Sequence, residues 1–137
     1  MKEVARQVRT YYIDKLIPLQ IDAQTIPVVN IAVGNTKTPF VIINSSAAQD
    51  GTKCTIDWNV TTTMQIVTKT TGNYGGDAMT EAIVNEIYDK IEQPYGETTD
   101  FKIVTQIVES DSPSLEIYNN GRVILKTLTI NNYVSEK

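Results

Sequence analysis

The feature that most constrains this chain is a stretch of strict alternation between Lys53 and Lys69. Its even positions are Cys54, Ile56, Trp58, Val60, Thr62, Met64 and Ile66, and its odd positions are Thr55, Asp57, Asn59, Thr61, Thr63 and Gln65. A period of two is the mark of a strand with one face on a core and the other in water. At about 3.3 Å per residue the stretch extends roughly 55 Å, well past the usual strand of about five or six residues. A domain that holds such a strand must be organised around it.

The partner follows from the turn. Asp50-Gly51 has the chemistry of a two-residue hairpin, where both central positions need positive φ. Centring the hairpin there pairs Ala47 with Cys54, Ile43 with Trp58, and Val41 with Val60, all on the apolar face. Pro39 would fall opposite Thr62, so Thr63 to Thr71 overhangs with no partner from this hairpin. A single chain seldom leaves so long an edge bare. Thr63, Met64, Ile66, Val67 and Thr68 are therefore candidates for contact with another subunit.

Composition agrees with a sheet. Thr, Ile and Val together supply 48 of the 137 residues, against five Leu and seven Ala. Such β-branched side chains lose freedom in a helix and pack well on a pleated surface. The length suits one domain, spanning 1–137. No apolar run is long enough to span a membrane, and Met1 to Arg6 opens no signal-peptide stretch, so a soluble protein made in the cytoplasm is expected.

The same composition narrows the chemistry. There is no histidine and one cysteine, so the commonest general base is missing and neither an internal disulfide nor a thiolate zinc cage can form. A net charge of −4 and a pI near 4.8 argue against a surface that grips nucleic acid through basic groups. No enzyme, cofactor or metal is expected.

Around the long strand the other elements fall into place. Val4 or Ala5, Val8, Tyr12 and Leu16 recur at helical spacing, and Pro18 ends that helix. Pro27 to Val33 reads as a strand followed by a Gly34-Asn35 turn. After Gly72-Asn73-Tyr74-Gly75-Gly76, Asp77 can cap a second helix with Met79, Ile83, Ile87 and Ile91 as its stripe. Phe101 to Glu109 reads as a strand. Leu115 to Tyr118 and Arg122 to Ile130 read as a hairpin around Asn120-Gly121, with Ile117 facing Ile124. The polar tail, 131–137, is expected to fray. The fold class is α+β, a mostly antiparallel twisted sheet with a long β-hairpin and two helices packed on one face.

Several groups invite a chemical reading and lose it to a plainer one. The glycines before Asp77 lack the Lys-Ser or Lys-Thr of a phosphate loop, and Asp77 places a negative charge where the anion would sit. Asp77 and Glu81 share a helix face, but acids in a first turn favour the helix dipole without any cation. Cys54 points inward and has no histidine to activate it. Trp58, on the same face, reads as core. The threonine row from Thr61 to Thr71 is too irregular for an ice-binding array.

The order of elements resembles the tail terminator, or tail completion and neck, proteins of tailed bacteriophages. The best-matching pieces are Pro27-Val28-Val29-Asn30-Ile31, Thr55-Ile56-Asp57-Trp58-Asn59-Val60 and Gly76-Asp77-Ala78-Met79-Thr80-Glu81-Ala82-Ile83, and the resemblance runs from Val4 to about Ile130. It implies a virion protein, assembled in the host bacterial cytoplasm. Such a protein forms a homo-oligomeric ring, with a hexamer favoured and a dodecamer an alternative, at the head–tail junction. Its partners are then copies of itself, portal, neck or tail proteins, and DNA in transit, with no membrane. Asp57, Asp77 or Glu81 would line the channel.

Two other functions fit less well. A small adaptor would stay monomeric and add a partner strand along Thr63 to Thr71. An enzyme working through carboxylates alone would need two inward-pointing acids, and Asp57, the one acid inside the long strand, points outward.

Overall fold

The computed structural model describes residues 3–30, 39–49, 57–70, 76–91, 96–111, 115–118 and 122–137. Helix α1, Val4–Leu16, buries Val4, Val8, Tyr12 and Leu16, the stripe expected from their spacing. Its last turn closes with Ile17 N donating to Ile13 O, one residue before Pro18. Strands β1, Leu19–Ile21, and β2, Gln24–Ile26, form a small antiparallel hairpin. Its turn holds Asp22 and Ala23 at φ of 48° and 69°, the left-handed pair that a primed turn requires. The sequence conceals this hairpin because neither turn residue is glycine or asparagine.

Strand β3, Val28–Val29, runs parallel to β4, Phe40–Gln49. Strand β5, Asp57–Thr70, is antiparallel to β4. Helix α2, Gly76–Ile91, precedes β6, Phe101–Asp111, β7, Leu115–Tyr118, and β8, Arg122–Glu136. The main sheet has the order β3-β4-β5-β8-β6, with β7 also on β8. The fold is α+β, and every pairing in it except β3–β4 is antiparallel. The turns at Gly34-Asn35, Asp50-Gly51 and Asn120-Gly121, the break through Gly75, and Cys54 and Ile56 lie outside the described residues.

One face of the sheet carries the core. Val60, Met64 and Ile66 of β5, Val41 and Ile43 of β4, and Leu128, Ile130 and Val134 of β8 form one buried cluster. The stripes of α1 and of α2 (Ile83, Val84, Ile87 and Ile91) complete it. Both helices therefore cover the same face, and the parity of the long strand is as its alternation predicts. Trp58 packs half-buried against this cluster. Two hydroxyl pairs lie on the buried face: Ser45 Oγ with Thr62 Oγ1 at 2.9 Å, and Thr68 Oγ1 with Thr80 Oγ1 at 2.9 Å.

The registers differ from expectation. Val41 lies opposite Ile66, Ile43 opposite Met64, and Ala47 opposite Val60, in place of Val60, Trp58 and Cys54. The slip is an even number of residues, so every side chain keeps its face and alternation alone cannot reveal it. The overhang disappears as a result. Phe40 pairs with Val67, and β8 covers the other edge of β5 continuously from Asp57 to Thr70. In the second hairpin Ile117 meets Val123, and Glu116 meets Ile124. This is a slip of one residue, produced by a three-residue connection between Tyr118 and Arg122.

The frayed tail is also overturned. Residues up to Glu136 form a ladder with β5 on one side and β6 on the other, and Asn132 and Val134 are buried. Asn132 escapes a hydrophobicity reading because a polar partner receives it. The Tyr12 hydroxyl lies 2.6 Å from Asn132 Oδ1 and 2.7 Å from Gln106 Oε1. One hydroxyl proton serves one carbonyl, and Asn132 Nδ2 is buried without an acceptor among the described residues. Turning the Asn132 amide by 180° satisfies both groups at once.

Candidate functional site: the open edge of the sheet

Four large apolar side chains are exposed among the described residues, and three of them, Val104 at 45%, Ile107 at 59% and Val108 at 38%, stand on β6. The strand begins conventionally, with Phe101 and Ile103 buried. Register shifts between Ile103 and Thr105 and between Val108 and Ser110 then bend it, as bulges at a sheet margin do. Between the bulges Ile107 is opposite Asn131, on the face away from the helices. Val108 is opposite Ile130, on the helix face.

The strand is held firmly at its centre. Gln106 Nε2 donates to Ile91 O at 2.8 Å, which satisfies a carbonyl at the end of α2, while its Oε1 meets Tyr12 of α1. Both helices thus fasten the middle of β6, so its outer margin is presented on a fixed element.

Among the described residues, the chain covers only the first part of that margin. Ile103 N donates to Gly96 O, Thr98 N donates to Phe101 O, and Glu97 bridges to Lys102. This cover is itself secured by Gln7. Its Nε2 donates to Asp100 Oδ2 at 2.7 Å, and its Oε1 accepts from Thr98 Oγ1 and Asp100 N. Beyond Ile103, among the described residues, no strand pairs with the outer side of β6. The exposed apolar side chains begin at Val104, where the cover ends. Backbone donors and acceptors flanked by apolar side chains on both faces fit an added strand.

A cleft of about 700 Å³ lies beside this cover, between α1 and residues 97–100, lined among others by Arg6, Tyr11, Asp14, Lys15, Glu97 and Asp100. Its charges have both signs and are in part already engaged: Arg6 pairs with Glu3, Lys15 Nζ donates to Tyr11 Oη, and Lys137 pairs with Glu97. No group of three or more metal-ligating side chains occurs among the described residues.

The residues singled out from sequence are not brought together. Met64 and Ile66 are fully buried, and Thr68 is 2% exposed against Thr80. These side chains are inside the chain's own core, and Thr63 and Val67 sit on a strand paired on both sides. The bare edge that made them interface candidates belongs to β6. Asp57 stands half-buried at the start of β5, on the face away from the helices, and accepts from the Tyr133 hydroxyl. Glu81 is exposed on α2, across the sheet from Asp57. Asp77 follows the first residue of α2, inside the helix and not at its cap. The β6 edge was legible in part: Val104, Ile107 and Val108 do not keep one parity, which is what a bulged margin leaves in a sequence.

No helix among the described residues is long and apolar enough to cross a membrane. No family model matches the sequence, and no curated protein matches it. Among solved structures, the chain is similar to a chain of the virion of a native gene transfer agent particle. The likeness covers 96% of each chain with a TM-score of 0.69, at 11% sequence identity. The two share a fold from end to end.

Proposed function

We propose that this chain is a structural protein of a phage-like virion, forming a homo-oligomeric ring at the head–tail junction around a channel for the genome. The observation that carries the reading is the likeness to a chain of a gene transfer agent virion, which spans nearly all of both chains. The element order of the sequence, which resembles tail terminator proteins, supports the same role. A hexamer is the favoured stoichiometry, and portal, neck or tail proteins are the neighbours. An acidic balance of −4 suits a conduit, since DNA must pass without phosphate contacts that would hold it. The role needs no catalytic residue and no cofactor.

Native mass spectrometry of the purified chain tests this, with negative-stain images of the same sample. A closed ring of defined mass is expected. A strict monomer at high concentration removes the proposal.

The open β6 edge also favours a second reading, a small non-enzymatic adaptor that pairs with a partner strand. It predicts a monomer that takes up an extended peptide.

A further inference from the structure

We infer that the uncovered part of β6, from Val104 onward, receives the β3 edge of a second copy of this chain, so that one sheet continues from subunit to subunit. The inference rests on the ring reading and supplies its contact. The main sheet ends in β3 on one side and β6 on the other. Each is paired on one side only among the described residues. A head-to-tail contact uses one of each per copy, and closing the ring leaves neither bare.

The side chains match on both faces. On β3, Val29 is opposite Ile42 and lies on the face away from the helices, while Val28 is opposite the buried Val41 on the helix face. On β6, Ile107 occupies the face away from the helices and Val108 the helix face. Laying β3 of one copy beside β6 of the next therefore sets Val29 near Ile107 and Val28 near Val108. Apolar meets apolar on each side, and the helix layers of successive copies stay on the same side of the continued sheet. The chain's own cover along Gly96 to Thr98 stops at Ile103, and no other described residue pairs with the margin where these residues stand. Because Gln106 ties β6 to Ile91 and Tyr12, little conformational freedom is left to be lost on contact.

Two variants and one single-cysteine control test this. Ile107→Lys places a charge in the contact and leaves the core untouched. By native mass spectrometry over a dilution series it should require at least about 100-fold more protein to assemble, with an unchanged far-ultraviolet circular dichroism spectrum. In a Cys54→Ser background, Val29→Cys with Ile107→Cys should form disulfides between copies under mild oxidation, giving a covalent ladder that ends at the ring number. A wild-type monomer overturns the ring reading and this contact with it. A ring that forms equally well with Ile107→Lys and yields no ladder overturns the contact alone. A covalent dimer from Ile107→Cys by itself, without Val29→Cys, shows that β6 meets β6 and overturns the choice of β3.

Discussion

Met64→Ala separates a residue inside the monomer from one at a subunit contact. Met64 is fully buried in the middle of β5, with Ile43 on one side and Leu128 on the other. Truncation removes three heavy atoms from that position. At about 0.8 kcal/mol per buried methylene-sized group the transfer loss is roughly 2.4 kcal/mol, and a partly unfilled cavity raises it to about 3–4 kcal/mol. With a urea slope of about 1.5–2 kcal/mol/M for a domain of this size, the midpoint should fall by roughly 2 M. Trp58, the chain's single tryptophan, is half-buried against the core and reports the transition by fluorescence, with circular dichroism as a second probe. The titration belongs at a concentration where the protein is monomeric, so that assembly does not contribute. A shift under about 0.3 M would refute the reasoning, because it would mean that β5 has an uncovered side after all.

Other consequences can be measured in the same way. Thr68→Val removes the hydrogen bond that Thr68 Oγ1 shares with Thr80 Oγ1 at 2.9 Å and should cost about 0.5–1.5 kcal/mol in thermal melts. Ala23→Gly relieves a side chain held at φ of 69° and should stabilise by about 0.5–1 kcal/mol in the same assay. Gly96→Ala puts a methyl group 2.7 Å from Tyr11 Cε2, so the ring must shift away from the Gly96 N–Tyr11 Oη bond. A loss of about 1 kcal/mol or more is expected in urea titrations. Truncation after Ile130 removes the buried Asn132 and Val134, and should leave a chain without a cooperative thermal transition. A variant that melts like the full chain would mean that the last six paired residues add nothing.

Local pattern was the legible part of this sequence. The stripe of α1 and the parity of β5 could be read because each depends on neighbours along the chain, and the burial of Val8, Tyr12, Val60 and Met64 follows it. Register was harder. Alternation specifies the face but permits any even displacement, so Val41 finds Ile66 where the hairpin turn suggests Val60. A connection one residue longer than the Asn120-Gly121 turn then moves Ile117 across from Val123. The largest difference came from long-range pairing. Nothing near Thr63 to Thr70 in sequence announces that Arg122 to Thr129 will lie beside it, and the polar run after Ile130 hides a strand whose Asn132 is satisfied by Tyr12. The displaced overhang moved the candidate interface with it, from the centre of the sheet to its β6 margin.

The position of β8 also sets an order in time. It is the last element of the chain, yet it joins β5 to β6 and β7, and its Asn132 meets Tyr12 across a sequence separation of 120 residues. Until β8 is made, no strand joins β5 to β6, and the Tyr12 hydroxyl can meet Gln106 but not Asn132. Closing the sheet must wait for β8 to emerge, and then proceeds through contacts far apart in sequence, which slows it. Among the described strands β6 pairs only with β8, so its outer edge takes shape only after β8 has paired.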